Sequence, residues 1–546
     1  VIHNPSLGVL NVDQISKSAT IEWNTFNVGE EASVHFNQPT DTASIYNHVL
    51  NGTSSIYGKV FANGKLFLHN PTGIYIGPYA AVKGEGVVLS TLNLIKHNTQ
   101  AQEYYYSSPG SGQINNQGLI ESGYVALISP SIHQAGTIKS EGDTHLAASD
   151  AVYLKINPDS QLLVKVNPAT IETAIENQGT IEATNGQVYL QSDIAQSFVD
   201  QTIHRSTKEA TALVNENGVL KLVSNSGSIQ STNITLSSGA QGQTVNSGDL
   251  IASSNNEGGK ITLEGKEVLV NSKSQLIATG YLQGGTILIG GDWQGEGEVL
   301  QANYSLVEKN TLLNVSSIGS GDGGKIVIWS DIHSPTSKTI VHGTLKANSI
   351  NGQGGKIETS GYFLNVDSIK VDTSSIFSNS GLWLLDPYDI TISSSSSSGT
   401  SYADTFEAGE ASNIDVSVIN SSLDAGNNIS ITTGTTGSGG DITVTSAISS
   451  SGIGSFSLTA NSDIVLNAAI TTGGDISMTA GDNIIVNHDI THNASSISSL
   501  SLNGSNVYVN EDISATAGKL NVNITSDASS GYTALEGDIT TNGGAV

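Results

Sequence analysis

GKVFANGKLFLHNPTGIYIGPYAAVKGEGVVLSTLNL, residues 58–94, sets short alternating stretches on either side of an Asn-Pro-Thr-Gly block. Leu66 and Leu68, then Ile74 and Ile76, recur with period two, which reads as two half-buried strands joined by a tight turn at Asn70-Pro71. Pro71 fixes φ in that turn, and Gly73 supplies a backbone conformation that side chains resist. Strands this short bury little alone, so they need neighbours of the same kind.

The rest of the chain supplies them. A phrase of two glycines, then Lys, Thr or Asp, then an alternating strand recurs as Gly258-Gly259-Lys260-Ile261, Gly284-Gly285-Thr286-Ile287, Gly323-Gly324-Lys325-Ile326, Gly354-Gly355-Lys356-Ile357, Gly439-Gly440-Asp441-Ile442 and Gly473-Gly474-Asp475-Ile476. The irregular intervals suit one or two turns of a solenoid with roughly 20 to 25 residues per coil. Stacked coils would bury the inward Ile, Val and Leu continuously and leave their period-two neighbours in solvent. The fold class expected is all-β: a right-handed parallel β-helix, with extra-helical strands and loops in the N-terminal region, where aromatics such as Tyr104-Tyr105-Tyr106 concentrate. A sandwich of ordinary domains would show hairpin turns at shorter, more regular intervals. One helix-like stretch, Ile194 to Val214, reads as an excursion from the coil.

Composition agrees with a solenoid and excludes several functions. The chain has 546 residues, 60 Gly, 10 Pro and 5% aromatics, yet 37% hydrophobic residues, enough to bury a core rather than stay disordered. Its net charge of −28 and single arginine, Arg205, argue against nucleic-acid binding. With 0 cysteines there can be no disulfide, thiolate nucleophile or cysteine-ligated metal. No apolar run is long enough to span a membrane as a helix. Val1 opens without a charged-then-apolar leader, so any signal peptide is expected to have been removed already.

The turn and its surroundings resemble the two-partner-secretion exoproteins, the filamentous-haemagglutinin-like adhesins. Asn70, Pro71, Gly73 and Ile74 match that family's Asn-Pro-Asn-Gly-Ile turn, with Thr72 in place of the usual second Asn. Trp23, Asn24, Phe26 and Asn27 match its N-terminal W-x-x-F-N strand. Val87 to Leu92, Ile175 to Ala183, Gly284 to Trp293, Gly323 to Asp331 and Trp383 to Ile392 resemble further blocks in the same order. A second family motif, Asn-Pro-Asn-Leu, has no counterpart before Asn70, where Asn51-Gly52-Thr53-Ser54 lies instead. Composition sets the boundaries, from the aromatic-rich start to the serine run Ser393 to Ser398, and with the resemblance they give a secretion domain over 1–240, a β-helix shaft over 241–390, a serine-rich link over 391–403 and further coils over 404–546. That last stretch stops in mid-pattern, as a fragment of a longer protein would.

The resemblance also implies export through the periplasm and a dedicated outer-membrane β-barrel transporter whose periplasmic domains receive the N-terminal region. The exported protein would be released or held at the bacterial surface, where it would bind an unknown host-cell or bacterial receptor. Asn70, Pro71, Thr72, Gly73 and Ile74 are the expected secretion motif. Two alternatives share the architecture: the shaft of a contact-dependent toxin-delivery protein, and an exoprotein that binds a haem carrier.

No enzyme is expected, and neither a cofactor nor a metal. A polysaccharide lyase on this fold needs carboxylates with a basic proton acceptor, and a hydrolase needs clustered carboxylates. Arg205 lies away from any acidic cluster, and Asp386 and Asp389 near Trp383 read as turn formers. Gly-Asp turns raise calcium as an alternative, but tandem Gly-Gly-x-Gly-x-Asp repeats are missing. His35, His48 and His69 lack ligand spacing and read as solvated or hydrogen-bonded side chains.

Overall fold

The computed structural model describes the chain apart from residues 108–111, 168–172, 193–220, 225–227, 396–411, 435–438 and 527–530. The helix-like stretch, Arg205 and most of the serine-rich link therefore lie outside the described residues. The chain divides into two compact units. One comprises Val1–Ala252, Lys260–Leu269 and Ser274–Leu276, and the other Ser253–Gly259, Val270–Lys273 and Ile277–Val546.

In the first unit each coil contributes three short strands, and coils pair in parallel. Ile74–Ile76, Ala81–Gly84 and Gly86–Ser90 form one coil. Ile114–Asn116, Leu119–Ser122 and Val125–Ile128 form the next and pair with them in register. Parallel stacking sets like on like: Ile74, Ile114, Ile132 and Ile175 form one inward column, every member buried. This is a parallel β-helix.

The half-buried reading holds for Ile74–Ile76, where Tyr75 reaches partly into solvent between two buried isoleucines. It fails for Lys65–His69, because Leu66, Phe67 and Leu68 are all buried. The cause is a second layer. Asn93–Asn98, Glu103–Ser107, Ala151–Ile156 and Leu162–Val166 leave the coils and pair antiparallel into a four-stranded sheet. Its inner face covers the outward column Tyr46, Phe67, Val88 and Ala126 with Tyr104, Tyr106, Val152 and Leu154. Phe67 lies 4.6 Å from the ring of Tyr46 and 5.0 Å from that of Tyr104. Each such large side chain contributes about 2 kcal/mol when fully buried. Tyr104 and Tyr106, in the aromatic run that reads as extra-helical, are thus core residues of this cover.

The second unit explains the double glycines. A Cβ on Gly324 would lie 2.0 Å from the Gly285 carbonyl oxygen, and one on Gly355 2.1 Å from that of Gly324. Consecutive turns stack backbone on backbone, so side chains are excluded at those positions. The strands that follow align Ile287, Ile326, Ile357 and Trp383 in one buried column. Further on, Ile442, Ile464, Ile484 and Val507 stand in register on successive coils. Two carboxylates of the Gly-Asp pairs that raised calcium accept backbone amides of the next coil. Asp441 accepts from the Asp463 amide at 3.0 Å, and Asp475 accepts from the Ser499 amide at 2.8 Å. A nine-residue helix, Val416–Asp424, interrupts this unit where the sequence pattern predicts only further coils. Asp415 caps it by accepting from the Ser417 amide at 2.8 Å.

Burial moves the pKa of two histidines in the first unit and of two carboxyls in the second. His69 is pushed down to about 4 by burial and by its neighbour His48, and His145 to about 3 by burial. In the second unit burial pushes Glu358 up to about 7 and Asp386 up to about 6. A histidine with a lowered folded pKa contributes stability that is present above its unfolded value of 6.5 and lost as pH falls towards 4. A carboxyl with a raised folded pKa contributes stability that is present below its unfolded value of 4.5 and lost as pH rises through about 7. Acidification from pH 7 to pH 5 is therefore expected to loosen the first unit relative to the second, in hydrogen exchange read separately for each. Glu358→Gln should flatten the trend of the second unit and leave that of the first unchanged.

Candidate functional site: the Asn70 corner and the outer tyrosine row

Asn70-Pro71-Thr72-Gly73 turns the chain from the strand Lys65–His69 to Ile74–Ile76, which belong to different faces of the helix. The turn is a corner of one coil rather than a hairpin. Asn70 is fully buried and organises it: its Oδ1 accepts from the Thr72 amide at 2.9 Å, and its carbonyl accepts from the Gly73 amide at 3.1 Å. Its Nδ2 donates to the Gly52 carbonyl and to Ser54 Oγ, both at 2.9 Å. Asn51-Gly52-Thr53-Ser54, where the second family motif is missing, is therefore the seat on which Asn70 rests. Sequence reasoning passed over Gly52 and Ser54; the small and polar residues one coil upstream were their only signal.

Gly73 has φ +132, and a Cβ there would lie 3.2 Å from the Gln113 carbonyl oxygen. The next coil closes over it: the Gly112 amide donates to the Pro71 carbonyl at 3.1 Å, and a Cβ on Gly112 would meet the Gly73 nitrogen at 2.4 Å. Gly112 is thus a third essential small residue that the motif does not contain. Thr72 is exposed and contributes only its amide to these bonds, which is why Thr can stand where the family pattern has Asn. Ile74 is buried in the inward column.

The W-x-x-F-N segment occupies the coil below. Trp23 Nε1 donates to Asn47 Oδ1 at 2.9 Å, and the Trp23 ring meets Phe26 edge-on at 5.4 Å. Asn24 Oδ1 accepts from Asn51 Nδ2, and Asn27 Oδ1 accepts from the Ser55 amide, each at 2.9 Å. The two sequence-predicted groups therefore meet through 51–55, and together they build one corner three coils deep. His48 and His69 adjoin it, with rings stacked at 4.7 Å and Nδ1 atoms 2.6 Å apart. His35 stands apart, beside Ser33 and the Phe61 ring. Among the described residues no three His, Cys, Asp or Glu side chains converge as a metal site.

The outer face of the antiparallel cover carries a second arrangement. Lys96, Tyr105, Tyr153 and Lys165 are cross-strand neighbours in one row over four strands. The two tyrosine rings lie 4.9 Å apart, and Lys96 Nζ is 5.6 Å from the Tyr105 ring centre. Lys155, beside the row, lies 3.6 Å from Glu103. On a chain of charge −28 this is a local patch of the opposite sign with flat aromatic surface between its charges.

Residues 5–231 match the TPS secretion domain family. This region is a two-partner-secretion domain. The chain resembles the crystal structure of the HMW1 secretion domain from Haemophilus influenzae, with a TM-score of 0.57 and 25% identity, covering 71% of this chain and 97% of that one. A heme/hemopexin-binding protein of Haemophilus influenzae is 26% identical over 373 residues, 67% of this chain and 33% of the relative. A second protein of that description, also from Haemophilus influenzae, is 26% identical over 240 residues, 39% of this chain and 26% of the relative. The chain spans a third or less of the length of these curated relatives. Proteins with a two-partner-secretion domain are exported across the outer membrane to the cell surface or the medium, and the domain implies a cognate outer-membrane transporter. No helix among the described residues is long and apolar enough to cross a membrane.

Asn70→Ala leaves the buried Ser54 hydroxyl and the Thr72 amide without their partner, a loss of about 1–3 kcal/mol, and should lower secretion. Gly73→Ala and Gly112→Ala should do the same, whereas Thr72→Asn should secrete normally. Immunoblots of culture medium against cell extract measure all four.

Proposed function

We propose that this chain is a non-enzymatic binding exoprotein. Its secretion domain is received by the periplasmic domains of the outer-membrane barrel, and its exported coils display an adhesive surface to a host-cell or bacterial receptor. The Asn70 corner supports a role for the motif in folding. Its side chain is buried with all its polar groups engaged, so in the folded domain it can act only through the shape of the corner. Coils that contact only their neighbours can fold one after another as they emerge, and such folding opposes return through the barrel.

The observation that carries the binding reading is the row Lys96, Tyr105, Tyr153, Lys165. Aromatic faces flanked by ammonium groups recognise flat or apolar ligands that bear negative charge. The cover that holds the row is set by its buried face, so the exposed face is free to vary for recognition. Lys96→Glu with Lys165→Glu should reduce adherence of bacteria displaying the protein at least about tenfold while leaving its secretion unchanged. Full adherence of that double variant refutes the assignment.

A second reading, binding of a haem carrier, is favoured by the descriptions of the two curated relatives. Retention of haem-loaded hemopexin by the purified chain, against haem-free hemopexin as control, tests it. Failure to retain either form removes this reading.

A further inference from the structure

The second unit carries an aligned row of large apolar side chains in solvent. The turns that precede its stacked strands are joined by bridges from Gly280 to Ser317, Ser317 to Ser349 and Ser349 to Ser375. The residue after each bridge position points outward, which lines up Tyr281, Ile318, Ile350 and Ile376 on successive coils. They are 52%, 55%, 37% and 68% exposed, and Leu282 and Phe377 beside them 48% and 75%. Solvated apolar residues are ordinary when scattered, but a contiguous stripe of this kind marks a contact surface.

The turns that carry the stripe are bonded to one another from coil to coil. Ser320 donates its amide to the Tyr281 carbonyl at 3.0 Å, and Phe377 donates to that of Ile350 at 3.2 Å. Ser349 and Ser375 hydroxyls tie their turns to the Gly321 and Gly352 carbonyls, each at 2.7 Å. A Cβ on Gly319 would lie 2.8 Å from the Tyr281 ring, so glycine lets that ring rest on the next coil. The backbone that carries these side chains therefore has little freedom to lose on association.

We propose that this stripe is the contact by which two copies of the chain pair side by side. Charge selects the occupant. The chain carries −28, yet the turns Gly280–Gly285, Ser316–Gly324, Asn348–Gly355 and Ser374–Gly381 hold one charged residue, Asp322, whose carboxylate accepts from the Gln353 amide at 2.7 Å. A basic partner gains nothing here and would be drawn to the acidic faces instead, and an anionic membrane would be repelled by the chain as a whole. A second acidic copy can approach closely only where both surfaces lack charge, and stripe against stripe is that approach. The six side chains offer roughly 600 Å² to solvent, against about 800 Å² per partner in a stable interface, and the flanking Gly, Ser and Asn turns supply the remainder. Because the stripe meets its own copy, a two-fold axis satisfies both sides and closes the assembly at two.

Sedimentation equilibrium of the 546-residue chain is the test. A monomer–dimer equilibrium is expected that tightens as salt rises from about 10 mM to about 150 mM, since screening weakens the repulsion between copies and leaves apolar contact intact. Ile376→Asp with Phe377→Asp should weaken dimerisation at least about tenfold with an unchanged melting temperature, because both positions are exposed. If that variant melts early, Ile350→Cys serves instead. It places the only thiol of the chain in the stripe, where a short bis-maleimide should join two copies, whereas the exposed Glu511→Cys should not be joined. A chain that stays monomeric at about 100 μM in both salts overturns the proposal. So does a dimer unaffected by the paired aspartates, equal cross-linking of the Glu511→Cys variant, or a stripe that binds phosphatidylcholine vesicles while the protein remains monomeric.

Discussion

The interaction on which this molecule depends is the parallel hydrogen bonding of each coil to the one before it and the one after. A strand of three to six residues has too little surface to bury and too few bonds within itself, so its amides and carbonyls must find partners one coil away. That requirement fixes register, and register stacks identical residue types. Ile74 upon Ile114 upon Ile132, and Ile287 upon Ile326 upon Ile357, are consequences of it. So are the glycines, for where two turns stack with backbones in contact there is no room for a Cβ.

The Asn70 corner is one instance of this stacking in which a side chain substitutes for the strand ladder. Where the coil bends between faces, regular bonding lapses, and the buried amide of Asn70 restores it in three directions. Gly52 and Ser54 below and Gly112 above complete a site that spans three coils. A linear motif read alone therefore shows the middle layer of a structure whose other layers lie about 20 and 40 residues away in sequence.

What the coils bury and what they leave exposed differ between the units. In the first, the antiparallel cover takes the outward column of Tyr46, Phe67 and Val88 into a second core and turns Tyr105 and Tyr153 outward on a new surface. In the second, no such layer among the described residues lies over Tyr281, Ile318 and Ile376, and their stripe faces solvent. The same device of like residues stacked in register produces a core in one setting and a contact surface in the other.

Much of this was written locally. Period-two alternation and recurring double glycines specify stacked short strands, because each depends on a residue and its near neighbours. The Asn70 turn was legible for the same reason; the Trp23, Asn24, Phe26 and Asn27 group is read from its likeness to a family motif, and the strand Ser18–Trp23 ends at its first member. Three-dimensional neighbours decided the rest. The alternation of Leu66 and Leu68 predicts one buried face, and only the return of strands from 93–107 and 151–166 buries Phe67 as well. Local propensity does not account for the helix Val416–Asp424. Its β-branched and serine-rich sequence reads locally as another strand, and it is held helical by its Asp415 cap and by the burial of Val418, Ile419 and Leu423. The partners of Asn70 could not be read from the motif, since a buried amide takes whatever polar atoms the adjacent coils present, and coil length alone determines which residues those are.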